Sequence, residues 1–240
     1  MVLLALMLSS CMKQIEEDLD TVANSNPTIA PPKDAILIDA SRDGGVWWFP
    51  QVAPFNADEP HQGTALANYL KGMGYKVEEL GGGKTITMEI LQRFKYVIRA
   101  VGDGSYTSAE MQAYMQFLKG NNALLLFNDH LKNFPNDQLS DFLGLKFEGA
   151  YDGPVYTVNN HPITAGVTHV NYIVGSVIVK PDPDKVTVLG YCSYANIKNA
   201  AAMGILNHPS CRIFFIGDMN GLEQLPQPFT DNLINWLFQK

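Results

Sequence analysis

The chain has 240 residues, a formal net charge of −7 and only 17% charged residues, which fits neither a nucleic-acid footprint nor a disordered polyelectrolyte. No basic stripe occurs anywhere along it. Hydrophobic residues make up 46% of the sequence, enough apolar matter for one large domain or two small ones.

The N-terminal stretch "MVLLALMLSSC" is too short to span a bilayer and has the length of a signal-peptide apolar region. Its end, "LSSC", resembles a bacterial lipobox, in which Leu8 and two small residues precede the lipidated cysteine, here Cys11. That likeness implies a signal peptide over 1–11 and a lipid anchor at Cys11. It departs from the pattern in having no Lys or Arg before the apolar run. An ordinary secretory signal, or a misplaced start with a chance cysteine, is the plainer alternative. Met12 stands where inner-membrane lipoproteins carry Asp, so outer-membrane sorting is expected. Residues 12–33, "MKQIEEDLDTVANSNPTIAPPK", are polar, acidic and end in paired prolines, the composition of a flexible tether. Within them, "EEDLD" resembles the surface-export signals of Bacteroidetes lipoproteins. A cell-envelope location follows as an expectation, periplasmic or surface-exposed.

From residue 34 to 240 strand and helix periods alternate as in a single domain. "AILIDA" (35–40) predicts a strand, followed by a long loop, and "GTALANYLKGMG" (63–74) predicts a helix stopped by its glycines. "YKVEEL", a short helix in "TMEILQRF" and the strand "YVIRAV" come next. "TSAEMQAYMQFLKGNN" opens with a Thr/Ser cap and an early Glu, closes on Gly120 and leads into the strand "ALLLFND". Strands separated by single helices, with continuous apolar runs such as "ALLLF", predict an α/β fold with a doubly wound, mostly parallel sheet. The second half, "GPVYTVN", "YIVGSVIV", "KVTVLGYC" and "AAMGIL", predicts an antiparallel β extension, and "RIFFIGD" the last parallel strand. A C-terminal amphipathic helix carries Phe229, Leu233, Trp236 and Leu237 on one face.

In such a sheet the strand carboxyl ends share one crevice. Asp39, Asp103, Asp129, His130 and Asp218 stand at those ends, and His61 at the start of the first helix. Three of these carboxylates with a histidine could hold a divalent cation or activate a water. Each could equally cap a helix or pin a loop. The loop "DGGVWWFPQ" offers Trp47, Trp48 and Gln51, a set that suits sugar or peptide stacking or, equally, sealing of a sheet edge or subunit contact. "GGGKT" (81–85) is not a phosphate-binding loop, because Glu78 occupies the place of its first glycine. His161 and His208 read as loop residues beside proline. Cys192 and Cys211 either pair or serve as small buried apolar groups, which spacing does not decide. No cofactor or metal motif stands out.

The βαβ opening at 35–80, the unit "YVIRAVGDGSYTSAEMQAYMQFLKGNNALLLF", "HPITAGV" and the closing "AAMGIL…CRIFFIGDMNG…FTDNLINWL" together resemble the class I glutamine amidotransferase-like superfamily, in particular its exported branch related to trehalose-utilisation-type and intraflagellar-transport-type domains. The resemblance covers most of 35–240 and implies a flavodoxin-like fold. Active members of that superfamily place a cysteine on a strained elbow after the "LLLF" strand and a His-Glu pair late in the chain. Here the elbow reads Phe127-Asn128-Asp129-His130, and no His-x-Glu pair follows. Attack on a glutamine amide needs a thiolate, which Asn128 and Asp129 cannot supply. No G-x-S-x-G elbow replaces it. The resemblance therefore implies a degenerate, non-catalytic domain of a lipoprotein from Bacteroidetes. Three readings stay open: a protein binding a glycan, small ligand or protein partner in the strand-end crevice; a hydrolase using Asp39, Asp129, His130 and Asp218, with or without a metal; and a structural subunit of an envelope assembly.

Overall fold

A strand that is apolar at every position needs cover on both faces, and the chain meets that demand by placing such strands in the middle of one sheet. The computed structural model describes residues 35–42, 62–101, 105–129, 137–158 and 160–238. In chain order the strands are β1 (Ala35–Asp39), β2 (Lys76–Leu80), β3 (Tyr96–Arg99), β4 (Ala123–Phe127), β5 (Glu148–Thr157), β6 (His169–Val177), β7 (Val186–Tyr194), β8 (Ile197–Leu206) and β9 (Arg212–Ile216). They form one nine-stranded mixed sheet in the order β2-β1-β3-β4-β9-β8-β7-β5-β6. Pairing is parallel from β2 through β9 and antiparallel from β9 to β6. The expected antiparallel extension and the parallel placement of "RIFFIGD" are both present.

The described helices are few and mostly short: α1 (Thr64–Gly72), α2 (Met88–Leu91), α3 (Ser108–Lys119), α4 (Gln138–Phe142), α5 (Asn220–Glu223) and α6 (Phe229–Phe238). No described helix is long and apolar enough to cross a membrane. Because successive strand residues point to opposite faces, the sheet divides the core in two. Ile36, Ile38 and Leu125 pack with Leu66 and Leu70 of α1 and Leu233 and Leu237 of α6. On the other face Leu37, Leu124 and Leu126 pack with Leu91 of α2 and Ala113 and Phe117 of α3. Each fully buried Leu, Ile or Phe contributes about 1.5–3 kcal/mol, so the two layers together hold the sheet between helices.

Local chemistry sets the element ends. The α3 N-terminus is a capping box: the Thr107 hydroxyl accepts from the Glu110 amide and the Glu110 carboxylate accepts from the Thr107 amide. After α1 the chain turns at Gly74, whose φ of +89° is a conformation that glycine adopts without strain. Three short elements lie outside the expected set: α4, capped by Asp137; a 3-10 turn over Pro162–Thr164, capped by the His161 ring; and α5, just after Asp218. Strand β5 also begins at Glu148 instead of Gly153. Register shifts and a left-handed Gly149 break its period there, which hides the strand from a pattern reading. "GGGKT" forms a turn tied to the end of β1 by the Gly83 amide donating to Ser41. Cys192 and Cys211 are unpaired and buried, and burial pushes their thiols up to about 11 and about 12.

The antiparallel half curls back over the parallel half. Although β6 is the last strand of the sheet order, Ile178, directly after it, exchanges both backbone hydrogen bonds with Ala201 of β8, at 2.7 and 2.9 Å. The Ser176 amide donates to the Gly217 carbonyl at 2.6 Å, just past β9. Gly217 is required by this approach, since a Cβ there would run into the Ser176 carbonyl oxygen. The curl brings β6 to the carboxyl ends of β4 and β9, where the predicted crevice lies.

Candidate functional site

The site is built from residues that end the parallel strands. Asp39 is the last residue of β1 and is buried. One carboxylate oxygen accepts from the Ser41 amide at 2.9 Å, the other from the Tyr114 hydroxyl of α3. Asp39 thus pins the turn after its strand to the helix opposite. Three residues on, Arg42 forms a two-pronged pair with Glu110 at 2.6 and 2.8 Å. Burial opposes charge on Glu110, but the Thr107 amide and hydroxyl and the Arg42 guanidinium hold it below the usual carboxylate range.

Arg99 ends β3 and is fully buried. Its Nη2 donates to Asp137 at 2.5 Å and reaches Ser140 at 3.4 Å, while Nε and Nη1 are buried with no hydrogen-bond partner. Burial alone would lower its pKa; the Asp137 carboxylate more than offsets this and holds it above the ordinary arginine value. Asp137 also accepts from the Ser140 amide and hydroxyl and from the Asn128 side chain. A charged side chain interrupting the apolar run "YVIRAV" was the sequence signal for this pair, and "NDQLS", with Asp before a helical turn, was the signal for its partner. Neither was among the predicted site residues.

The elbow residue after β4 is Asn128. Its Nδ2 donates to Asp137 at 3.0 Å, and its Oδ1 accepts from the Asp129 amide at 2.9 Å and the Ser176 hydroxyl at 3.4 Å. The amide is committed on both sides, so the position where the resemblance places a nucleophile is a structural joint between β4, α4 and β6. Asp129, next to it, is buried.

Asp218 follows β9. Its carboxylate accepts from the Asn220 amide at 2.8 Å, closing the turn into α5, and from the Ile173 amide of the returning β6. Burial pushes its pKa up to about 7; the two amide hydrogen bonds oppose that, and the charges of Asp129 and Asp152 add to it. The hydroxyl of Tyr172 in β6, raised by burial and then by Asp218, donates to the Ala202 carbonyl and accepts from the Gly217 amide.

Two groups therefore form along the strand ends. One joins Asp39, Tyr106, Tyr114, Arg99 and Asp137, whose charges act on one another. The other joins Asp129, Asp218 and Tyr172. Of the predicted carboxylates, Asp129 and Asp218 come together, while Asp39 belongs to the other group. Among the described residues no three His, Cys, Asp or Glu side chains are grouped to hold a metal, which includes the set Asp39, Asp129 and Asp218. Cys11, Trp47, Trp48, Gln51, His61, Asp103 and His130 lie outside the described residues.

No protein-family model matches the chain, and no curated protein matches it. Solved structures do resemble it. The N-terminal domain of mmIFT52 superposes with a TM-score of 0.60 at 15% identity, over 85% of this chain and 98% of that one. A ThuA-like protein from Bacteroides uniformis gives 0.53 at 19% identity, over 90% and 93%. A second ThuA-like protein, from Parabacteroides merdae, gives 0.53 at 11% identity, over 85% and 89%. The chain shares the α/β fold of these ThuA-like proteins, which are glutamine amidotransferase-like.

Proposed function

We propose that this chain is a non-catalytic cell-envelope lipoprotein whose degenerate amidotransferase-like domain binds a glycan, a small ligand or a protein partner in the strand-end crevice. The observation that carries the reading is Asn128. A residue held by Asp137, Ser176 and the Asp129 amide cannot act as an attacking group, and no thiol replaces it, because both described cysteines are buried, un-ionised and elsewhere. The strand ends nevertheless keep a concentration of buried polar groups, among them the fully buried Arg99 with two donors that no protein group takes, a polar set of the kind around which ligand sites are built. The strand order β2-β1-β3-β4-β9, with packed helices on both faces, is in keeping with a doubly wound, flavodoxin-like parallel half. Anchoring at Cys11 through a signal peptide over 1–11, a tether over 12–33, outer-membrane sorting and an origin in Bacteroidetes belong to the same proposal and rest on the sequence.

The test is a glycan array and thermal-shift ligand screen on detergent-solubilised full-length protein, with ammonia release from glutamine measured alongside. The expected result is at least one saturable ligand weakened by Trp47→Ala or Trp48→Ala, with ammonia at the buffer blank. Steady ammonia release, or a screen without a ligand, overturns the reading. Cys11→Ala moves the protein out of the membrane fraction; unchanged partitioning defeats the anchor.

A second reading, a hydrolase, draws on Asp218 alone. A carboxyl group held near neutrality beside Asp129 can exchange protons at working pH. Turnover of a glycoside or ester substrate that disappears in Asp218→Asn would favour it.

A further inference from the structure

At the amino-terminal edge of the parallel strands, opposite the crevice, lies an open cavity of about 490 Å3 between the end of β8, the start of β9 and α6. Its size falls in the range of small-molecule sites, about 300–1,000 Å3. Ile205 and Leu206 supply apolar lining and Trp236 an aromatic one. Trp236 is steadied from outside the cavity by the His161 ring, edge-on at 5.7 Å.

The side-chain polar groups left unspent in the lining are donors. Arg212 has Nε and Nη1 buried without a hydrogen-bond partner. Among the described residues no carboxylate pairs with it, and the groups acting on it are the Tyr96 hydroxyl and the Cys211 thiol. Both are engaged elsewhere: Tyr96 donates to the Phe238 carbonyl at 2.9 Å and Cys211 to the Asn122 carbonyl at 3.2 Å. The His208 Nδ1 accepts from the Ser210 and Cys211 amides at 3.4 and 3.1 Å, which leaves Nε2–H as the ring's free donor. Burial lowers the pKa of His208, keeping the ring neutral. The Asn207 Oδ1 accepts from the Thr187 hydroxyl at 3.0 Å, leaving its amide hydrogens unspent.

A partly buried cation without a counter-charge is unfavourable unless something supplies the missing acceptor. One guanidinium, two neutral donors and an aromatic wall match a single negative charge on a flat apolar body. A compact dianion would leave the Trp236 and Ile205 surfaces unused and meet only one positive charge.

We propose that this cavity binds a small organic carboxylate with a flat apolar body, its carboxylate on Arg212 and its ring against Trp236. The site is independent of the ligand reading for the crevice, and neither result decides the other. The test titrates full-length 15N-labelled protein with benzoate, following the Trp236 indole signal, which Trp236→Phe assigns. Benzamide and inorganic phosphate serve as the neutral isostere and the compact anion. Benzoate saturates, and the other two bind at least about tenfold more weakly, the size of one lost charge-assisted hydrogen bond. Arg212→Gln weakens benzoate by at least about tenfold. Should that variant fail to fold, Asn207→Asp carries the test, because Asn207 is exposed and aspartate keeps the acceptor for Thr187. It weakens benzoate by the same margin. Absence of saturation, phosphate binding as tight as benzoate, or Asn207→Asp within about twofold of wild type overturns the proposal.

Discussion

Strands β1, β3 and β4 bury every residue, whereas β6 alternates exposed and buried positions from His169 to Ile173. The first three are covered by helices on both faces; β6 is the last strand in the sheet order and curls back to meet β8 and the end of β9. Interior strands tolerate no change of volume, because their neighbours are already close-packed. The curled strand is held by a few directed contacts: the Ile178–Ala201 bridge, the Ser176 amide on Gly217 and the Ile173 amide on Asp218. The site sits on the seam between the two regimes, so its residues answer to both.

The largest effect should come from the interior. Phe214 is fully buried in β9 against Phe229, and Phe214→Ala should destabilise by about 3–5 kcal/mol in denaturant unfolding. A loss below about 1 kcal/mol would break the contrast with β6. Next comes the seam. Asp218 has a folded pKa of about 7, above its unfolded value near 4, so the native state binds the extra proton between those values. Its stabilising contribution is full below about pH 4 and is lost as pH rises through about 7, a swing of at most about 4 kcal/mol. Asp218→Asn should flatten that slope; an unchanged pH profile of unfolding would refute the assignment. Asp137→Asn keeps the shape and the helix cap but leaves Arg99 unneutralised, and should cost about 3 kcal/mol. A neutral result would mean the buried pair contributes nothing. The smallest effect lies in β6 itself. Val174 is 40% exposed and has a φ of +63°, a strained conformation for a β-branched residue. Val174→Gly should raise stability by about 1 kcal/mol; a thermal scan showing a loss would place the strain elsewhere.

Legibility followed the same division. The elements of the parallel half, Ala35–Asp39 through Ala123–Phe127, matched their apolar runs and caps, because continuous burial and a capping box leave marks in a linear sequence. The start of β5 at Glu148 did not, since the register shift there erases the alternation that marks a strand. At the site, the end-of-strand rule picked out Asp39, Asp129 and Asp218 correctly as strand-end residues, but not their grouping. Arg99, Asp137 and Ser140 were missed because their partnership joins residues about forty positions apart, which no local pattern encodes.

Neighbours along the chain were enough to give the α/β class, the antiparallel second half of the sheet, and the lack of a cysteine after "ALLLF". These depend on periodicity and on residue chemistry, both properties of neighbours along the chain. It took the packing in three dimensions to show that Asn128 is locked as a joint, that Asp129 and Asp218 share one environment while Asp39 lies in another, and that Arg212 faces a cavity with no acidic partner among the described residues. Those facts depend on how β6 curls and on which side chains lose water together, and desolvation is set by distant residues meeting in space.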